Sequence, residues 1–315
     1  MKKTKLKQWL WLVGVVAILL VGCQNKPTAI KSSTTSTTSS TAAAEEVTVD
    51  WPFYEIKKEG QVVGHILGTM HIGQKEMYPF PEVILTSLKN SQLLLTEVKM
   101  ADLEAPDPEL MMAVMQGDKP ITEGMNEESL RIFRERLKEY GFEEEAIKML
   151  NRLGVDQFLQ TKYISPIAAT YGVDMQLYGK AKNISTLKNE GLETVEEQYD
   201  ILLEAYKEPA DVNEWVATIP SLKEGKDSTD KLVKDYIAGE VFKYFEEEAS
   251  DQEMNAAQQA LLIDQRNANW LKVLPNYLEE SGVFIAVGAG HLPTDKGILH
   301  LLEAAGYQTT KVSFN

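Results

Sequence analysis

The chain has one cysteine in 315 residues, Cys23, and only four histidines: His65, His71, His291 and His300. A single thiol excludes an intrachain disulfide and a thiolate metal cluster. No His-Glu-x-x-His helix is present, which excludes an ordinary zincin. No serine stands in Gly-x-Ser-x-Gly and no phosphate-binding loop is encoded. Positive charge is scarce as well. The whole chain carries 32 basic against 47 acidic residues, and four of the lysines (Lys2, Lys3, Lys5 and Lys7) sit at its very start. Without the first 22 residues the balance is 28 minus 47, or −19. Such a surface argues against binding nucleic acid or anionic headgroups through a folded domain. It tolerates cationic peptides and metal ions better, or serves only to keep the domain soluble.

Long apolar runs are also missing. The longest near the N-terminus, Trp9 to Val21, has 13 residues. It is too short to span a bilayer comfortably but suits the apolar core of a secretory signal peptide, with the four lysines ahead of it. It ends in Leu20-Val21-Gly22-Cys23, which resembles a lipobox, where the cysteine becomes the lipid-bearing N-terminus. Residues 24–46 then include Ser32 to Thr41, a Ser/Thr tract with nothing to bury, which reads as a flexible tether. The expected organisation is a signal peptide (1–22), a lipidated Cys23 with its tether (23–46) and one domain (47–315). The expected location is the outer face of a bacterial cell membrane.

Within the domain, Trp51–Lys57 and Gln61–Gly68 read as a hairpin about Lys58-Glu59-Gly60. Pro81–Asn90 reads as a helix with proline in its first turn. Ser91–Val98 is a nearly continuous apolar strand of the kind buried on both faces. A helical middle follows, over Glu127–Tyr140, Glu143–Leu150, Val155–Tyr163 and Pro166–Lys182. Asn183–Leu187 is a short expected strand. Thr194 opens a helix with capping-box spacing, and further helices are expected over Val212–Glu224, Thr229–Glu248 and Asp251–Glu280. The end returns to sheet, with strand Val283–Val287, helix Asp295–Ala305 and strand Tyr307–Ser313. Strands at both ends of a helical middle predict one α/β domain with a helical insertion.

Two of the four histidines share a local setting. Gly68-Thr69-Met70-His71 and Gly288-Ala289-Gly290-His291 each follow a strand and precede a turn. In open α/β sheets ligands bind beyond the carboxyl ends of strands. Glu97 lies near the end of a third apolar strand, where a carboxylate is costly unless paired, protonated or metal-bound. Two imidazoles and one carboxylate make a reasonable ligand set for Zn²⁺, Mn²⁺, Fe²⁺ or Co²⁺. The plainer reading is a pair of core histidines bonded to backbone, with Glu97 in a structural ion pair. His65, alternating within its strand, and His300 read as structural.

These elements, with Gly191-Leu192-Glu193-Thr194-Val195-Glu196-Glu197-Gln198, Tyr171-Gly172-Val173-Asp174 and Arg266-Asn267 ahead of Trp270, together resemble the TraB/PrgY/GumN family, relatives of the Tiki metalloproteases. The resemblance runs from about Trp51 to Val312 and rests on the order of the motifs. It implies a central mixed sheet with flanking helices and metal-dependent peptide hydrolysis, with His71, Glu97 and His291 as metal ligands. It further implies Glu193 as general base and Arg266 as the group that meets a substrate carboxylate or an oxyanion. The Leu-Glu pair comes later after Asn183 than the family pattern expects, so Glu190 rivals Glu193.

Three functions remain open on the sequence. One is a membrane-tethered metallopeptidase acting on secreted peptides or extracellular protein segments. Another is a non-catalytic lipoprotein that sequesters such a peptide, as pheromone-dampening members of the family would. The third is a metal-free, esterase-like hydrolase with a histidine base.

Overall fold

A computed structural model describes residues 47–104, 107–246, 256–280 and 282–314. The expected signal peptide, Cys23 and the tether lie outside the described residues. Among the described residues no helix is long and apolar enough to cross a membrane.

Strands β1 (Phe53–Lys58) and β2 (Gln61–Thr69) form the expected antiparallel hairpin. Glu59 and Gly60 both take positive φ at its tip, 52° and 79°, which matches the turn twist to that of the strands. Then come β3 (Leu93–Thr96), β4 (Lys188–Gly191), β5 (Val283–Gly288) and β6 (Gln308–Lys311). They make one mixed sheet in the order β4-β3-β5-β2-β1-β6. The four strands β4, β3, β5 and β2 run parallel, while β1 is antiparallel to both β2 and β6.

Every residue of β5 is buried, as its unbroken apolar run requires. Its side chains alternate between two cores. Phe284 and Ala286 join the large core beneath the helical middle, with Phe53, Leu67 and Leu94. Val283, Ile285 and Val287 join a smaller core with Ile66, Leu95, Trp270 and Leu302. The sheet is therefore the middle layer, and its central strand is desolvated on both faces.

Several expected elements are displaced. The short strand expected at Asn183–Leu187 lies instead at Lys188–Gly191. Ile184 and Leu187 are held in turns and pack partly buried against the core. The true strand is a polar edge, pinned by Asn189, whose amide donates to the Leu94 carbonyl and accepts from the Met100 N–H. The helix expected over Pro166–Lys182 is two, Pro166–Thr170 and Val173–Ala181, broken at Tyr171-Gly172. Pro220 divides Val212–Thr218 from Leu222–Ile237, with Ser221 and Glu224 forming a capping box for the second helix. The capping box of Thr194 and Glu197 forms as expected. The helix expected over Asp295–Ala305 is shorter, Ile298–Ala304.

Candidate active site

Because β2, β5 and β3 are adjacent and parallel, their carboxyl ends open on one edge of the sheet. His71 lies two residues beyond β2, Glu97 one beyond β3 and His291 three beyond β5. Their chain separations are large, and the sheet topology removes them.

The break at Gly172 positions His71. A Cβ on Gly172 would stand 2.4 Å from the His71 carbonyl oxygen, so only glycine lets the two backbones meet there. The Val173 N–H then donates to the Met70 carbonyl at 2.6 Å. In the first turn of the helix that follows, the Asp174 carboxylate lies 2.6 Å from Nδ1 of His71. Nε2 of His71 is buried and has no hydrogen-bond partner among the described residues.

The Asn267 amide positions His291. Its Nδ2 donates to the carbonyls of His291 and Lys296, at 3.1 and 2.9 Å. Its Oδ1 must then face Nδ1 of His291, 2.7 Å away. That assignment places the imidazole proton on Nδ1 and leaves a lone pair on Nε2. His291 is wholly buried.

Glu97 is held from two sides. The Gly288 N–H donates to Oε1 at 2.8 Å and the Arg266 guanidinium to Oε2 at 2.6 Å, with the Gln198 amide at 3.2 Å. Arg266 is the hub and is only 1% exposed. Its Nε donates to Glu193, Nη2 to both Glu97 and Glu193, and Nη1 to Nε2 of His291 at 3.1 Å and to the Leu262 carbonyl at 3.1 Å. Glu193 also accepts from Trp270 Nε1 at 3.1 Å and from Gln198 at 3.0 Å. The Trp270 ring lies 4.5 Å from the His291 ring.

The charges follow from these partners. Burial alone would raise the Glu97 pKa, but the charges of Arg266 and His71 and the Arg266 hydrogen bond hold it down at about 2. Burial raises Glu193, and the charged Glu97 beside it adds to that rise, against the pull of Arg266. Burial and Arg266 lower His291 to about 3, which keeps its imidazole neutral. Burial would lower His71 too, but the Asp174 charge and hydrogen bond outweigh it and carry the imidazole up to about 9.

The donor chemistry here fits a divalent ion. His71 offers a buried, unpartnered Nε2 backed by a carboxylate, and His291 a lone pair on Nε2 backed by an amide. Such backing groups accompany metal-bound histidines. Nε2 of His291 lies 3.7 Å from Oε1 of Glu97, but Arg266 is hydrogen-bonded to both residues. Among the described residues no three His, Cys, Asp or Glu stand close enough together to hold an ion as they are.

Of the two candidate bases, Glu193 is brought to this centre and Glu190 is not. Glu190 sits on β4 with its side chain 48% exposed, 3.6 Å from Lys99. Both line a crevice of about 570 Å³, together with Lys99, Asp102, Leu110 and Tyr199. His65 stacks on Phe53 within the sheet and His300 is exposed, so neither joins the centre. Sequence reasoning gave no role to Asp174, Asn267, Gln198 and Trp270. Their only signal was membership of the segments that carry the family resemblance.

Comparison with known proteins agrees with that resemblance. A profile of the TraB/PrgY/gumN family matches residues 52–311. Proteins called YbaP, described as uncharacterized, from Shigella flexneri and from Escherichia coli K12 are each 27% identical over 134 residues, which is 42% of this chain and 49% of theirs. The chain thus spans about half the length of these relatives. No solved structure matches it.

Proposed function

From the premise that the chain belongs to the TraB/PrgY/gumN family, we propose that it is a metal-dependent hydrolase of peptide bonds, tethered by a lipid on Cys23 to the outer face of a bacterial membrane. The observation that carries this reading is the buried Nε2 of His71, without a partner among the described residues, placed with Glu97 and His291 at the ends of three adjacent strands. These three residues would hold the ion: Mn²⁺, Co²⁺, Zn²⁺ or Fe²⁺. Bound there, it would supply Lewis-acid polarisation of a carbonyl.

The remaining work belongs to the chain's own residues. Asp174 fixes the ring of His71, and Asn267 keeps the Nε2 lone pair of His291 aimed at the centre. The Gly288 N–H and Arg266 keep Glu97 ionised. Glu193 is the carboxyl whose pKa is pushed upward, and it lines the crevice. It is therefore the residue to hold and return a proton during hydrolysis. Exposed Glu190, paired with Lys99, is left with no part in the chemistry.

One observation favours a second reading, a lipoprotein that binds a peptide without cutting it. Arg266 occupies both Glu97 and His291, and binding would need only the crevice. The two readings part on metal and on product. The full chain, purified in detergent without chelator, is analysed for bound metal beside His71→Ala and His291→Ala variants that remain folded. It is then incubated with a peptide library and read by mass spectrometry. A single ion per chain, lost in both variants, with new peptide termini appearing only in the wild type, is the expected result. An intact library and no ion after added Mn²⁺ or Co²⁺ would leave the binder.

A further inference from the structure

Arg266 spends every donor it has. The five N–H bonds of a guanidinium go to Glu193, Glu97, His291 and the Leu262 carbonyl. None is left for a substrate carboxylate or an oxyanion. Two of these acceptors, Glu97 and Nε2 of His291, are ligands in the metal-dependent reading, and a second cation there meets strong repulsion from the first. We propose that Arg266 is a resident cation that keeps the metal-free centre closed, and that it must leave Glu97 and His291 for a divalent ion to bind. This inference rests on the metal-dependent reading.

The backbone offers a route for the exchange. Arg266 starts the helix Arg266–Leu271, directly after a π-helical turn, Ala260–Gln265. A π turn carries one residue more than an α turn and occurs often at functional sites. Resolving it to α geometry rotates the side chains that follow. The Leu262 carbonyl, one acceptor of Arg266, belongs to that turn. Glu193 remains as an anchor through Nε. Withdrawal also frees donors on Nη1 and Nη2 beside the crevice that Glu193 lines. Arg266 then changes task, from counter-ion of the closed centre to hydrogen-bond donor for a substrate carbonyl.

The chain has five arginines, Arg131, Arg134, Arg136, Arg152 and Arg266, so arginine-selective ¹⁵N labelling of the full chain gives a short list of Nε–H signals. Zn²⁺ is titrated in while those signals are followed, and its affinity is measured by calorimetry for the wild type and for Arg266→Gln. The expected result is a shift of the Arg266 signal with exchange against water faster by roughly tenfold or more, absent in His71→Ala. Zn²⁺ affinity in Arg266→Gln should rise by about tenfold or more, and binding to this variant alone would support the proposal equally. Should Arg266→Gln fail to fold, the wild-type titration still decides. Zn²⁺ that binds the wild type without moving the Arg266 signal, or that binds Arg266→Gln no more tightly, overturns the proposal and leaves the metal reading standing. No binding to either protein overturns both.

Discussion

Two buried carboxylates in this molecule face opposite fates. Glu97 at the strand ends and Asp156 on the helix Arg152–Tyr163 are both nearly inaccessible to water. Glu97 is held ionised, its pKa about 2, by Arg266 with the charged His71. Burial pushes Asp156 up to about 7 against a hydrogen bond from Tyr206, with no cation in contact among the described residues. One turn further along the same helix, both polar atoms of the Gln160 amide lack partners among the described residues, as does the Ser228 hydroxyl. The strand-end centre is thus built to keep charge, whereas the helical middle only tolerates a buried polar group. Burial decides neither outcome. The partner does, and an isolated ion in an apolar interior gives up its charge instead.

The sharpest way to break this contrast is to remove the cation. Arg266→Met leaves Glu97 and Glu193 buried beside each other without compensation. Urea unfolding of the metal-free variant should show a loss of about 3–5 kcal/mol. Saturating Zn²⁺ should restore part of that loss, because an ion that binds only the folded state stabilises it. A variant as stable as the wild type would mean that the charges at the strand ends are not held by Arg266.

Asp156 tests the other side through pH. Its unfolded pKa is near the ordinary 3.8 and its folded value about 7. Between these values the unfolded chain has released a proton that the folded chain keeps, so raising the pH favours unfolding. Above 7 the two states carry the same charge at this residue and the effect levels off. Asp156→Asn removes the proton difference. Its stability relative to the wild type should rise across that window, on the order of 2–4 kcal/mol by pH 8. Parallel stability curves for the two proteins would show that Asp156 is not held neutral.

A smaller effect is expected at the group behind His71. Asp174→Asn keeps the size of the side chain but loses its charge. Metal affinity should fall by about 10–100-fold while the fold stays intact. An unchanged affinity would make Asp174 a structural partner of His71 and nothing more.

Much of the sheet was legible because apolar runs and strand-ending glycines announce themselves. β1, β2, β3, β5 and β6 lie within a few residues of their expected places, and the pairing of two Gly-x-x-His elements at one sheet edge follows from strands that run parallel. β4 was misplaced because its sequence, Lys188-Asn189-Glu190-Gly191, has no apolar alternation to read. Its position depends on Asn189 bonding to β3, which is a tertiary fact. The break at Gly172 was hidden for a related reason. Periodicity continues through it, and only contact with the His71 backbone explains why a glycine is needed. That Glu193 and not Glu190 reaches Arg266 was likewise beyond reach, since three residues along the chain separate an exposed strand position from the anchored turn. The fivefold commitment of Arg266 could not be seen at all, because its side-chain partners, Glu97, Glu193 and His291, lie in three separate segments.

The most direct test of the centre is anomalous diffraction from crystals of the protein grown with Zn²⁺. The account predicts an anomalous peak at about 2.0–2.2 Å from Nε2 of His71, Nε2 of His291 and a Glu97 oxygen, with the Arg266 guanidinium withdrawn from both of the last two. A peak only at surface carboxylates, with Arg266 still hydrogen-bonded to Glu97 and His291, would contradict it.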